Sequence, residues 1–128
     1  MAARVIATSP EQFGYLAVLR LREAQILLRG KQWAGAMYIS GYVAECWLKA
    51  FIARKHGGAL PERFKVHDLE TLRTEAAHYL DASRLEIVRR LPEWSHLLRY
   101  DCRAPSAQTV TRFLEACNEV HRCLSTVT

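Results

Sequence analysis

No apolar run in these 128 residues reaches the roughly 20 that a membrane helix needs. The opening stretch, MAARVIATSP, carries one Arg and too short an apolar core for a secretory signal. Together these absences lead to the expectation of a soluble, cytoplasmic protein with no membrane partner. The four cysteines, Cys46, Cys102, Cys117 and Cys123, form no CxxC pair. They are too scattered for a secreted disulfide framework or a zinc site, so reduced thiols are expected. There is no HExxH, and no two helical stretches offer facing Glu-x-x-His pairs, so neither metal nor cofactor is expected. Period-two alternation between turn signals is also missing, which excludes strands. Lysine is scarce: 14 of the 18 basic residues are Arg, on a net charge of +5. The planar guanidinium binds two phosphate oxygens at once, so this bias favours a nucleic-acid or nucleotide partner.

Half of the residues are hydrophobic, enough for one core in a chain of this length. The stretch from Lys31 to His56 organises the rest. Apolar or small residues recur at helical spacing through Trp33, Met37, Gly41, Ala44, Leu48 and Phe51. A second row follows through Ala36, Ile39, Val43, Trp47 and Ala50. A helix apolar over most of its girth packs on several sides. Ala34, Gly35, Ser40 and Gly41 leave room for a neighbouring helix. The remaining face, Tyr38, Tyr42, Glu45 and Lys49, lines up as one seam.

Around this helix the chain reads as a single domain over residues 9–126, after a flexible arm at 1–8. Ser9, Pro10 and Gln12 supply a cap, a first-turn proline and a capping box for a helix ending near Arg29 at Gly30. Phe13, Leu16, Leu19 or Arg20, Glu23, Ile26 and Leu27 trace its inner side. Gly57-Gly58 stops the central helix. Asp68 caps a third helix with Leu69, Leu72, Ala76 and Tyr79 or Leu80 inside. Ser83 with Glu86 predicts a capping box for a short fourth helix, and Pro92 starts or kinks a turn around Trp94 to Arg99. A last helix runs from about Ala107 to Leu124 on Val110, Cys117 and Val120. The fold class predicted is all-α: an antiparallel up-and-down bundle of four long helices and a short one.

The pattern A-x-Y-x-x-G-Y-x-x-E-x-x-L-K-A, carried here by Ala36, Tyr38, Gly41, Tyr42, Glu45, Leu48, Lys49 and Ala50, is followed by His67-Asp68-Leu69 and then by Arg99-Tyr100. In that order the three resemble the HEPN family (higher eukaryotes and prokaryotes nucleotide-binding domain) over roughly residues 10–125. The resemblance implies a helical bundle of four to five helices, commonly a homodimer. Many such proteins are metal-independent ribonucleases with an Arg-x4–6-His motif at the dimer interface. Others bind nucleotides or RNA, and bacterial members often pair with a small nucleotidyltransferase in toxin–antitoxin modules.

Two spacings match that motif, Arg90 to His96 and Arg73 to His78. Arg90 with His96 is the catalytic pair favoured: an imidazole near a ribose 2′-hydroxyl and a cation on the phosphate need no metal. The stretch crosses Pro92, which places a helix break between the two residues. Tyr42, Glu45, Lys49, Arg99 and Tyr100 are the candidates for nucleotide or RNA binding. Glu45 and Lys49 also read as a plain i, i+4 ion pair. Arg99 is either a phosphate ligand or the partner of Asp101, and His67 a hydrogen-bonding residue of the loop that closes the bundle. Trp33, Trp47 and Trp94 read as core or interface aromatics; Trp94, between Arg89, Arg90 and Arg99, is the one placed to stack on a base.

Overall fold

The computed structural model describes residues 3–128. Five α-helices, and no strand among the described residues, make up the domain: α1 (Pro10–Arg29), α2 (Trp33–Lys55), α3 (Leu69–Ala77), α4 (Ala82–Arg89) and α5 (Ala107–Ser125). Single 3₁₀ turns stand at Glu62–Phe64 and His96–Tyr100. Three helices are long and two short, where four long ones were expected. The third ends at Ala77 and the fourth at Arg89, each about two turns after it starts. Among the described residues no helix is long and apolar enough to cross a membrane.

Ser9 and Gln12 form the capping box of α1, with the Gln12 N–H donating to Ser9 Oγ at 3.2 Å and the Ser9 N–H to Gln12 Oε1 at 3.2 Å. Gly30 ends α1 as expected, and the turn into α2 is closed at Lys31, whose φ of 59° is left-handed. Such a short connection folds α2 back along α1. The inner face of α1 differs from the expected stripe. Phe13, Ala17, Leu21 and Ala24 are buried, and Ile26 is 60% exposed. The small side chains Ala17 and Ala24 let α1 lie close on α2, which turns the larger Ile26 outward. Asp81, rather than Ser83, caps α4: Asp81 Oδ1 accepts from the Arg84 N–H at 2.9 Å, and the Ser83 hydroxyl donates to the same carboxylate at 3.0 Å. A charged acceptor at a helix start outcompetes a hydroxyl. The Arg84 N–H and the Ser83 hydroxyl hold the Asp81 carboxyl below its usual range.

Helix α2 is the core. Every residue from Val43 to Ala53 is buried, Glu45 and Lys49 included. Helices α1, α5 and α3 cover it on three sides, and the turn at His96–Tyr100 reaches it as well. Gly57 and Gly58 end it at φ 80° and 94°, and the Gly58 N–H donates to Ala53 O at 2.8 Å. The loop beyond is tied to the N-terminal arm, where the Leu60 N–H donates to Thr8 O at 3.0 Å. Gly41 leaves room for an indole rather than for a helix. A Cβ there would stand 1.9 Å from Cε2 of Trp94. Trp94 is 8% exposed and its Nε1 donates to Met37 O at 3.2 Å, so it is a core anchor and offers no face to a base.

Two outcomes follow from this packing. Gly41→Ala displaces Trp94 and should cost roughly 1–3 kcal/mol by overpacking, read as a lower urea midpoint together with a red-shifted tryptophan emission. The second concerns Trp47, whose Nε1 donates to His121 Nδ1 at 2.9 Å. Burial, and then the Arg122 guanidinium, push the His121 imidazole below its ordinary range. The unfolded ring takes up a proton near pH 6.5, as free histidine does, and the folded ring only at lower pH. This contribution is complete above about pH 6.5 and is lost as pH falls through the folded-state value. Melting temperatures measured across that range should fall less steeply in His121→Gln than in the wild type.

Candidate functional site

The seam of α2 gathers the charged groups of the interior. Lys49 Nζ donates to Glu45 Oε2 at 3.0 Å, with the two side chains 9% and 5% exposed. The i, i+4 spacing brings them together, and burial turns an ordinary surface pair into an internal one. A third residue joins them from the loop before α3. His67 Nδ1 lies 3.0 Å from Glu45 Oε1 and 3.1 Å from Oε2. The sequence reading gave His67 a loop contact; its partner is the buried carboxylate, 22 positions away. Asp68, next to it, caps α3 as expected by accepting from the Glu70 N–H at 3.1 Å.

An aromatic wall stands beside this cluster. The hydroxyls of Tyr38 and Tyr42 share a hydrogen bond of 3.1 Å. Tyr42 meets His67 and Trp94 edge-on, at ring separations of 5.9 and 4.9 Å. Burial first, then the Tyr38 hydrogen bond and the Glu45 charge, push the Tyr42 phenol above its ordinary range. It stays a neutral donor at physiological pH. On the α1 side, Tyr38, Tyr42, Glu45 and Lys49 border a cleft of about 610 Å³, closed by Phe13 and Leu16 and rimmed by Arg20 and Lys65. The exposed Val5 and Ile6 of the arm form its lip. The inner side of α1 was expected to carry Leu19 or Arg20, and Arg20 stands at this rim; Lys65 was not singled out, since nothing local marks which loop cation faces the seam.

The 3₁₀ turn supplies the remaining candidates. Residues three apart in such a turn share a side, and His96 and Arg99 are three apart. The His96 ring lies 5.2 Å from that of His67. Arg99 sits over the Tyr38 ring at 6.0 Å. Its expected partner Asp101 is bound instead by Arg103, at 2.8 and 3.0 Å. The hydrogen bonds from Arg103, side chain first and backbone second, hold the Asp101 carboxyl down at about 2. Arg99 therefore makes no ion pair among the described residues. Tyr100, beside it, is 76% exposed. Arg90 closes α4 and pairs with Glu86, Nε to Oε1 3.4 Å. The other motif match is set in structure: Arg73 pairs with Glu70 and donates to Leu91 O at 2.6 Å, and His78 caps the end of α3. The structure thus brings Tyr42, Glu45, Lys49, His96 and Arg99 around one corner, adds His67 to them, and ties Arg90 to a neighbouring acid. Among the described residues no three His, Cys, Asp or Glu side chains gather in a way that would hold a metal ion. The cysteines are free, and Cys46, which borders the cleft, has its thiol pushed up to about 12 by burial and then by Glu45.

A family model for the HEPN domain matches residues 16–127. The chain belongs to the HEPN family. The match runs from the middle of α1 to the end of α5, so the seam, the His67 loop and the 3₁₀ turn all lie within the HEPN domain. Searches of curated proteins and of solved structures gave no match. Membership supports a nucleotide- or RNA-related function for this HEPN chain.

The buried cluster makes an asymmetric prediction. Removing one partner of a buried pair costs about 3–5 kcal/mol. Lys49→Met leaves the carboxylate with His67, whereas Glu45→Ala leaves the ammonium with nothing. Glu45→Ala should therefore be the more destabilising of the two by urea unfolding at pH 7, and the double variant should lose less than the sum of the two.

Proposed function

We propose that this HEPN chain binds RNA at the α2 seam and cuts it without a metal. His96 serves as a proton-transfer group, and Arg99 with Lys49 holds phosphate. The observation that carries this reading is the sharing of one side of a 3₁₀ turn by His96 and Arg99, beside an aromatic wall and a buried cation. Phosphodiester transfer needs a proton carrier and a fixed positive charge within reach of one phosphate. Arg99, free of any carboxylate among the described residues, is available as that charge. Lys49 uses one of its three N–H donors on Glu45, so two remain for a ligand. Tyr42 adds a neutral hydroxyl. In this reading Arg99 takes the part first assigned to Arg90, which is engaged with Glu86.

A second reading rests on a different observation. Leu97 and Tyr100, on the same turn, are 60% and 76% exposed. A homodimer or a nucleotidyltransferase partner, as in a toxin–antitoxin pair, would cover them. The chain would then be a binding and assembly module without cleavage.

The two separate in one experiment. Fluorescence anisotropy with a 2′-deoxy oligonucleotide measures binding, and a labelled single-stranded RNA in EDTA measures cleavage. The wild type should do both. His96→Ala should lower cleavage by about a hundredfold or more with little change in binding. Arg99→Ala should weaken binding and flatten its salt dependence by about 0.7 in log–log slope, the value for one phosphate contact on a single strand. Binding without cleavage, or no binding at all, overturns the nuclease reading and favours the assembly module.

A further inference from the structure

We infer that His67 is the second proton-transfer group of this site and that Glu45 is its positioning residue, an inference that rests on the reading above that RNA is cut beside His96. The Glu45 carboxylate accepts hydrogen bonds and donates none, so His67 Nδ1, at 3.0 Å, must carry the hydrogen. In the neutral ring this leaves Nε2 as a bare lone pair on the opposite edge. Lys49 fixes the carboxylate from its other side at 3.0 Å, and Tyr42 packs edge-on against the His67 ring at 5.9 Å. The base is therefore held in one tautomer and one plane, the arrangement by which a carboxylate orients a working imidazole. About half of the His67 side chain is exposed, and the exposed His96 ring lies 5.2 Å away. Two imidazoles so placed can act on one phosphodiester, one taking a proton and the other giving one.

In this proposal the nucleophile comes from the substrate. The Ser40 hydroxyl is buried and donates to Ala36 O at 2.6 Å, and the Cys46 thiol is held protonated by burial. A ribose 2′-hydroxyl is the group that fits. Its oxygen attacks the adjacent phosphorus while His67 Nε2 takes its proton. The bond from phosphorus to the 5′-oxygen breaks, and protonated His96 gives that oxygen a proton. The products are a 2′,3′-cyclic phosphate and a 5′-hydroxyl. His67 ends protonated and His96 neutral, and exchange with water resets both. The charged and titratable groups shown against His67 are Glu45 and Tyr42 from α2 and His96 from the turn, with Lys49 behind Glu45 and Asp68 next in the chain.

The test is the pH dependence of RNA cleavage in EDTA, alongside binding of the 2′-deoxy oligonucleotide. The wild type should give a bell-shaped profile with one limb from each histidine. In His67→Gln the side-chain amide can still donate to Glu45. This variant should lose the acid limb and about a hundredfold or more in kcat at unchanged binding. Glu45→Gln, which keeps an acceptor for His67 Nδ1 but no charge, should lower kcat more than it weakens binding. A His67→Gln enzyme that keeps both limbs and its rate overturns the inference and leaves the reading of the site intact. A wild type that binds the oligonucleotide but cuts no RNA overturns this inference together with cleavage, and one that does not bind overturns the site itself.

Discussion

A helix buried around its whole circumference cannot leave a charge without a partner. Helix α2 places Glu45 and Lys49 in its middle, where every neighbour along the chain is buried. Their pairing is a condition of the fold before it is a feature of the site. Removing two ions from water costs several kcal/mol per ion, and the mutual attraction repays this only when the other lone pairs are also satisfied. Glu45 meets that demand with two partners, Lys49 and His67. The second partner comes from a loop, so the same requirement that keeps α2 stable also fixes a half-exposed imidazole at the surface.

The aromatic wall extends the arrangement. Tyr42 touches His67, Trp94 and Tyr38, and Trp94 reaches back to the α2 backbone at Met37. The turn that carries His96 and Arg99 begins just after this tryptophan, so its position is set by a buried ring at one end and by the Tyr38 face beside Arg99. Three separate segments, the middle of α2, the loop before α3 and the 3₁₀ turn, are thereby brought to one corner. Each does so through a contact that would exist without any ligand.

What could be read in advance follows the range of the interactions. Capping at Ser9 and Asp68, the Gly57–Gly58 stop and the apolar girth of α2 are local patterns, and the structure has them all. The i, i+4 seam was legible for the same reason. One length was less legible: α3 breaks at Ala77, just before the Asp81 cap of α4. Ile26 was placed inside by its spacing, but Ala17 and Ala24 set the approach of α1 to α2 and left it outside. Arg99 has an acid two positions on, yet Arg103 offers Asp101 both its backbone N–H and its guanidinium. The link from His67 to Glu45 spans 22 positions. No periodicity reports such a pair, and the HEPN resemblance marked both residues without joining them.

The distances along the chain also order its assembly. The α1–α2 hairpin closes over a connection of three residues, Gly30 to Gln32, and can form early because little chain entropy is spent on so short a loop. The contact from Trp94 to Met37 spans 57 positions, and that from Trp47 to His121 spans 74. These long closures can be rewarded only once the hairpin exists to receive them. The corner that holds His67, His96 and Arg99 is then among the last parts to form. A newly made chain would carry a folded hairpin, with its buried ion pair still open to water on one side, before it carried a working surface.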